Sequence, residues 1–327
     1  MNKIQVIVLI IAVVLFIILY IGASFLLRYS ISVRGKGGDR KVKKSNKTSA
    51  VKMERDKDPA IIALRANKKR IHEDSEAFYR THHEEEIEVV SGDGLKLKGY
   101  ILRSSGHKWV IVIHGYRMDH TSVCDMAKRY YEEGYNTLSP DLRSCGNSQG
   151  EYCGMGWLEK EDIKAWINYI VDRDREAEIV IHGVSMGGAT VLMLSGDQLA
   201  KQVKVLIEDC GYTSVWDIFA SEIKLRFNLA TFPIMNIASW QSKRKAGYSF
   251  EEASSLAQVE KSILPMMFIH AKEDRFVPFW MLDAVYERKQ KGPKEKVISE
   301  RGGHVESMYA LGDEYWNKVF NFIKNNC

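Results

Sequence analysis

The apolar residues of this chain are most concentrated near its amino terminus. Residues 4–27 form an almost unbroken apolar run, and no other run in the sequence reaches this length. A helix of about 20 apolar residues crosses the hydrocarbon core of a bilayer. The run therefore predicts one transmembrane anchor over residues 1–27. A cleaved signal peptide is the alternative, because Gly22, Ala23 and Ser24 resemble a small-residue cleavage site.

A polar and basic segment follows this run. Residues 28–57 contain eleven Lys or Arg and three Asp or Glu, and they lack apolar periodicity. This composition predicts a flexible tether that lies on anionic lipid, although the charges can equally serve only as a topology signal. The positive-inside rule places the rest of the chain in the cytoplasm.

Beyond residue 58 the apolar pattern changes repeatedly between period two and helical spacing. Residues 58–83 have helical spacing, and two alternating segments on either side of residues 91–94 predict a β-hairpin. Further short apolar strands are predicted near Val110, Thr137, Ile179, Val205, Met267 and Val297. Strands that alternate with helices indicate an α/β domain over residues 58–327, with a mostly parallel sheet and helices on both faces.

Residues 211–262 interrupt this alternation. The segment is too long for a simple connection between a strand and the next one. Trp216, Phe219 and Ile223 recur at helical spacing within it. We predict a small helical lid inserted after the strand near Val205. Whether its aromatic residues line an acyl pocket or only pack the lid onto the domain stays open.

Ser185 stands at the centre of a Gly-x-Ser-x-Gly sequence that directly follows an apolar strand and precedes a small-residue helix start. Such a strand-to-helix turn exposes the serine hydroxyl, and its tightness requires the flanking glycines. Ser148 is the centre of a second copy of the pattern, but it lies in a polar stretch and is predicted to be in a loop. The context predicts that Ser185 is a nucleophile.

A nucleophilic serine needs a base and an acid that orients the base. Asp274 follows an apolar strand, and His304 lies on a glycine-rich loop after the last predicted strand. The order Ser185, Asp274, His304 is the order of the triad in one particular fold. Asp209, at the end of an earlier strand, is the alternative acid.

Two backbone groups are candidates for an oxyanion hole. The N–H of Met186 comes directly after the predicted nucleophile, and the N–H of Tyr116 follows the strand that ends at His114 and Gly115. Donors from these two places typically hold the oxyanion in such a site. His114 is expected to support the loop by hydrogen bonding rather than to act as a base.

These motifs together resemble the α/β-hydrolase superfamily over residues 86–327. The resemblance rests on His114-Gly115, Asp141 through Ser148, the Ser185 turn, Asp274 before Val277-Pro278, and Gly303-His304. Within the superfamily the chain is similar to bacterial membrane-anchored serine hydrolases of the BEM46-like or YqkD-like type. The resemblance implies an α/β-hydrolase fold and the hydrolysis of an ester or a related acyl compound.

The charge and the cysteine content of the chain bear on its expected partners and on its compartment. The chain has a net charge of +5, and residues 28–57 account for more than this excess, so the domain that follows is net acidic. Nucleic-acid binding is therefore not expected. The predicted partners are a small acyl ester and the bilayer, the latter through residues 4–27 and the tether. Five cysteines without framework spacing also favour the cytoplasm, although a pairing of Cys145 with Cys153 stays open.

The sequence thus predicts a serine hydrolase that cleaves a carboxylic ester or thioester through Ser185, His304, Asp274 and a covalent acyl-enzyme. An acyltransferase or a peptidase with the same triad is the alternative, and a non-catalytic membrane-binding module is a more distant one. This chemistry needs no cofactor. No metal site is predicted, since the sequence lacks the Cys-x-x-Cys and His-Glu-x-x-His patterns.

Overall fold

The structure is a computed structural model that describes residues 2–32, 58–82 and 84–327. Its centre is an eight-stranded sheet. The strands are β1 (Glu85–Val90), β2 (Lys96–Leu102), β3 (Lys108–Ile113), β4 (Asn136–Pro140), β5 (Glu178–Val184), β6 (Val203–Asp209), β7 (Met266–Ala271) and β8 (Lys294–Ser299).

Helices precede the sheet and connect its strands. They are α1 (Lys3–Ser30), α2 (Pro59–Thr81), α3 (Cys124–Glu132), α4 (Glu159–Arg173), α5 (Met186–Leu194), α6 (Val215–Phe227), α7 (Ile234–Lys245), α8 (Ser255–Val259), α9 (Trp280–Arg288), α10 (Ser307–Leu311) and α11 (Asp313–Asn326). A single helix, α2, occupies the segment for which the sequence predicts helical structure before the hairpin. Its first turn is capped by the Asp58 side chain, which accepts a hydrogen bond from the Ala60 N–H.

The sheet is mostly parallel, as predicted. Its strand order is β1-β2-β4-β3-β5-β6-β7-β8. The hairpin β1–β2 is antiparallel, with Ile87 opposite Gly99, and β2 pairs antiparallel with β4. All other neighbours are parallel, so the carboxyl ends of β3 through β8 meet at one edge of the sheet. Ligands of open α/β sheets bind beside the carboxyl ends of the strands, so functional side chains are expected at this edge.

Both faces of the sheet are buried because helices cover both sides. Along β3, Trp109, Ile111 and Ile113 belong to one apolar cluster, and Val110 and Val112 belong to another. Successive side chains of a strand point to opposite faces, so this division follows from the period of two. It explains why the central strands are apolar throughout instead of alternating with polar residues.

Three helices, α6, α7 and α8, lie between β6 and β7, where the sequence predicts a lid. α6 begins at a cap formed by Ser214, whose hydroxyl accepts from the Asp217 N–H at 3.0 Å. Within the segment, the rings of Phe219 and Phe250 pack edge to edge, with their centroids 4.9 Å apart. The side chains of Trp216 and Phe219 are partly buried against the main apolar cluster.

The amino-terminal helix α1 is 28 residues long and is apolar enough to cross a membrane. At a rise of about 1.5 Å per residue it spans roughly 42 Å. Most of its side chains are exposed, but Ala23, Leu27 and Ile31 are buried in the main apolar cluster of the α/β domain. The spacing of four residues places these three side chains on one face of the helix.

The helix itself extends past Leu27, the last residue of the predicted anchor. The helix continues to Ser30, and Ser32 pairs with Tyr152 in an isolated β-bridge. The first residues of the predicted tether are therefore folded, because Ile31 is fully buried. The rest of that tether, residues 33–57, lies outside the described residues.

Candidate active site

Ser185 occupies the sharp turn between β5 and α5. Its backbone angles are φ 59° and ψ −118°, which lie outside the regions that most residues adopt. The glycines on either side make the turn possible. A Cβ on Gly183 would stand 2.1 Å from the carbonyl oxygen of Gly187, and a Cβ on Gly187 would stand 2.2 Å from that of Ile113. The turn presents the serine hydroxyl at the carboxyl edge of the sheet.

The structure brings the three predicted side chains into one hydrogen-bonded chain. Ser185 Oγ lies 2.7 Å from His304 Nε2, and His304 Nδ1 lies 2.7 Å from Asp274 Oδ2. Because the carboxylate accepts from Nδ1–H, the Nε2 atom faces the hydroxyl as a proton acceptor. The Asp274 side chain is fully buried, and 21% of the His304 side chain is exposed. This arrangement can move a proton from the hydroxyl to the imidazole.

Several donors position the Asp274 carboxylate. Its Oδ1 atom accepts from the backbone N–H groups of Phe276 at 2.9 Å and Val277 at 3.0 Å. His270 Nε2 lies 3.4 Å from Oδ2 and 2.9 Å from the carbonyl of Val277. Burial alone raises the pKa of this carboxyl, but the hydrogen bonds from His270 and His304 outweigh burial and hold the pKa well below its usual range. Asp274 is therefore ionised at neutral pH.

Asp209, the alternative acid, has different partners. Its Oδ2 atom accepts from the Tyr315 hydroxyl at 2.9 Å, and the same hydroxyl lies 3.1 Å from His182 Nε2. Burial raises the pKa of Asp209 to about 6 and lowers that of His182 to about 3. The carboxylate hydrogen-bonded to His304 is therefore that of Asp274, and Asp209 belongs to a buried network beneath the site.

The two predicted oxyanion donors belong to residues next to the Ser185 turn. Met186 is the first residue of α5, where backbone N–H groups lack a carbonyl four residues earlier. Gly115, directly before Tyr116, is so near that a Cβ on it would stand 3.4 Å from Ser185 Cβ. His114 donates from Nδ1 to the Gly115 carbonyl at 2.7 Å and accepts at Nε2 from the Leu142 N–H at 3.0 Å. It thus supports the loop, as the sequence predicts.

The surroundings of Ser148 indicate a structural role and not that of a nucleophile. Its hydroxyl donates to the Asp141 carbonyl at 2.6 Å and accepts from the Lys98 N–H at 2.8 Å. The residue is fully buried in a loop. Both hydrogen-bonding directions of the hydroxyl are used for the backbone, so the second Gly-x-Ser-x-Gly copy ties a loop to β2.

Two features near the site were not identified from the sequence. His270 is a second donor to Asp274, and its position at the end of a predicted strand, four residues earlier, was the only available signal. The end of α1 is the other feature, since Tyr116 donates its hydroxyl proton to the Ser30 carbonyl. Arg117 donates to the Tyr29 carbonyl at 2.7 Å. These contacts join residues more than 80 positions apart, and no local sequence pattern indicates them.

Among the residues that the structure describes, two groups of side chains bring together atoms of types that bind metals. Cys210 lies near Asp274 and His304, but both ring nitrogens of His304 are occupied by triad hydrogen bonds. In the second group, Asp125 Oδ1 lies 2.9 Å from His72 Nδ1, and burial together with Asp125 raises the pKa of the Cys124 thiol. All five cysteines are free thiols, so Cys145 and Cys153 are not paired.

Known proteins resemble this chain in sequence and in fold. The model of a family described as serine aminopeptidase, S33, matches residues 104–228. YqkD of Bacillus subtilis (strain 168) is 28% identical over 239 residues, which cover 72% of this chain and 78% of YqkD. The Pyrococcus furiosus esterase Pf2001 is 22% identical with a TM-score of 0.61, covering 75% of this chain and 93% of the esterase. The Pyrococcus horikoshii acylaminoacyl peptidase is 18% identical with a TM-score of 0.56, covering 74% of this chain and 41% of the peptidase.

The strand order, the turn at Ser185 and these similarities all indicate the same fold. The chain belongs to the α/β-hydrolase superfamily, and it is an enzyme of the serine hydrolase type. The amino-terminal helix precedes this fold and is a candidate for a membrane span.

The close contacts in the turn around Ser185 can be tested by adding a Cβ to one of its glycines. Gly187→Ala should force backbone atoms apart and cost about 3 kcal/mol, near the upper end of ordinary overpacking. At roughly 2 °C per kcal/mol for a domain of this size, Tm should fall by about 6 °C or more. Gly92→Ala is the matched control, because nothing lies within 4 Å of its added Cβ. Differential scanning calorimetry measures both, and equal Tm values for the two variants would show that the turn has room.

Proposed function

We propose that this protein hydrolyses a carboxylic ester or thioester through Ser185, His304 and Asp274. The observation that carries the proposal is the continuous hydrogen-bond chain from Ser185 Oγ through His304 to the buried Asp274 carboxylate. A serine hydroxyl is a weak nucleophile until a positioned base accepts its proton. Here the base is oriented by an acid that stays ionised.

The reaction proceeds in two halves. His304 Nε2 takes the Ser185 proton as Oγ attacks the acyl carbonyl, and the N–H groups of Met186 and Tyr116 hold the oxyanion. His304 then donates the proton to the leaving alcohol or thiol, and the acyl-enzyme remains on Ser185. A water, deprotonated by His304, attacks this ester and releases the carboxylic acid and the free hydroxyl. Removal of one oxyanion donor typically costs about 3 kcal/mol of transition-state stabilisation.

A peptidase is the second candidate, because the matching family model describes a serine aminopeptidase. Peptide hydrolysis requires the same proton transfers, with an amine as the leaving group. An acyltransferase also forms the same acyl-enzyme and differs only in the acceptor. A panel of p-nitrophenyl esters, thioesters and aminoacyl amides, each with water alone or with an added alcohol, separates the three reactions. The complete triad argues against a non-catalytic binding module.

We further propose that α1 is retained as a single membrane span and that the hydrolytic domain faces the cytoplasm. The length and apolar composition of α1 support the span. The excess of basic residues in residues 28–57 supports the orientation, since basic segments remain on the cytoplasmic side. The small acyl ester therefore reaches the enzyme at the membrane surface.

Ser185, and not Ser148, should react with a fluorophosphonate probe. Only Ser185 has a neighbouring base, whereas the Ser148 hydroxyl is committed to two backbone groups. Wild type and Ser148→Ala should be labelled, and Ser185→Ala should not, as read by in-gel fluorescence at matched amounts of folded protein. Persistent labelling of Ser185→Ala would place the nucleophile elsewhere.

Asp274→Asn should lower kcat by a factor on the order of 10⁴, because an amide neither fixes the productive tautomer nor stabilises the imidazolium. Asp209→Asn is the matched control, since it is equally buried but bonded to Tyr315. Its kcat should fall far less when rates are corrected for the folded fraction. The reverse ranking in steady-state assays would assign the orienting acid to β6.

The proposed orientation predicts protection from added protease. In intact cells the domain should survive external proteinase K, and it should be degraded after the membrane is opened with detergent. Immunoblotting against a carboxyl-terminal tag reads out both conditions, with a known cytoplasmic protein as the control for cell integrity. Degradation in intact cells would reverse the topology.

A further inference from the structure

Helix α7 of the lid crosses α1 between Tyr20 and Ser24. The Ser24 hydroxyl donates to Gln241 Oε1 at 3.0 Å, and Gln241 Nε2 donates to the Tyr20 carbonyl at 3.2 Å. The rings of Tyr20 and Trp240 meet edge to edge, with centroids 6.5 Å apart. The lid is thus attached directly to the helix that is proposed to span the membrane.

The crossing point lies at a defined depth along α1. A hydrocarbon core of about 30 Å takes up about 20 helical residues. Counted from Ile4, these residues end near Ala23, so α7 lies at the level where hydrocarbon gives way to headgroups. Tyr and Trp side chains are enriched at this level, because their rings are apolar and their polar atoms stay hydrated. Tyr20 and Trp240 fit that position.

The segment that leads into α7 exposes four large apolar side chains. We call residues 225–232 the lid edge. Leu225 is 64% exposed, Phe227 48%, Leu229 49% and Phe232 77%. Exposed apolar residues are common singly, but several in one short segment mark a surface that contacts another apolar phase.

The lid edge is continuous with the anchor. Ile234, two residues after it, lies so near α1 that its Cδ1 atom would be 3.4 Å from a Cβ on Gly22. Basic residues follow at the other end of α7, where Arg244 stacks over the Trp240 ring at 4.4 Å. Lys243, Arg244 and Lys245 are all exposed. Apolar residues before one end of α7 and basic residues at its other end match the acyl and headgroup layers of an anionic leaflet.

The carboxyl-terminal end of α1, which packs on the lid, lies close to the candidate site. Its Ser30 carbonyl accepts from the hydroxyl of Tyr116, whose backbone N–H is a predicted oxyanion donor. A lid that meets lipid beside α1 therefore brings the site near the acyl chains.

We propose that the lid edge inserts into the leaflet that contains the carboxyl-terminal end of α1. The hydrolase would then have two membrane contacts, and its substrate would enter from the bilayer as an amphipathic acyl ester instead of from bulk water. The inference rests on the proposed span, because only α1 fixes the depth at which the lid lies.

The test uses depth-dependent quenching on the full-length chain. The four other cysteines are buried, so Cys327→Ser gives a background without an exposed thiol. Phe232→Cys and Leu225→Cys are each labelled with bimane and reconstituted into phosphatidylcholine–phosphatidylglycerol vesicles with doxyl-labelled lipids. Each labelled variant must retain the Tm of the background protein.

Two further positions serve as controls. Ile263→Cys replaces an apolar side chain that is 71% exposed near the start of β7, at the opposite edge of the sheet from Ser185. Ile11→Cys reports on the span itself. The proposal expects doxyl lipids to quench bimane at positions 11, 225 and 232 but not at 263.

Other outcomes separate the span from the lid contact. Quenching at position 11 alone would leave the span and overturn the lid contact. No quenching at position 11 would overturn both. Shielding of positions 225 and 232 from aqueous iodide without doxyl quenching would mean that a protein surface, such as a second copy of the chain, covers the lid edge, and would also overturn the proposal.

Discussion

The steric fit of backbone around the turn at Ser185 is the constraint on which the rest of the site depends. Three glycines around this turn leave no room for a side chain: a Cβ on Gly188 would stand 2.9 Å from the Asp209 carbonyl oxygen, and Gly183 and Gly187 are tighter still. The Ser185 N–H donates to that same Asp209 carbonyl at 2.8 Å. The serine is therefore placed by backbone contacts between β5, β6 and α5. Its unusual φ is tolerated because these contacts leave no alternative.

Three buried acids lie near this turn, and their hydrogen-bond partners decide whether the pKa of each is raised or lowered. Burial raises the pKa of Glu208 to about 8 and that of Asp209 to about 6. Asp274 is also buried, yet two backbone N–H groups and two histidines stabilise its charge. An orienting acid must stay ionised to stabilise an imidazolium. Among these carboxylates, Asp274 is the one in contact with the His304 ring, and its charge is the best supported.

The parts of this architecture that are encoded locally could be predicted from sequence. The short apolar strands and the glycines around Ser185 are visible within short segments of the sequence. The triad residues are indicated by their order along the chain, which is Ser185, Asp274 and His304. Contacts between distant segments have no such signal. Ala23, Leu27 and Ile31 lie on one packed face, but a run that is apolar on every face hides the spacing that would have revealed it. No sequence signal therefore indicated that the helix continues to Ser30 and packs on the domain.

The same packing joins the end of α1 to the hydrolase fold. The carbonyl of Ile31 accepts from the Cys153 N–H at 2.8 Å, and Cys153 Sγ lies 3.3 Å from the sulfur of Met186. The carbonyl of Ser30 accepts from Tyr116, whose backbone adjoins Gly115 at the turn. A chain without α1 would lose these acceptors, and an unpaired buried donor costs about 1–3 kcal/mol. Because Tyr116 and Met186, which carry the predicted oxyanion donors, adjoin the residues that contact the end of α1, the packing of this helix also supports the geometry of the candidate active site.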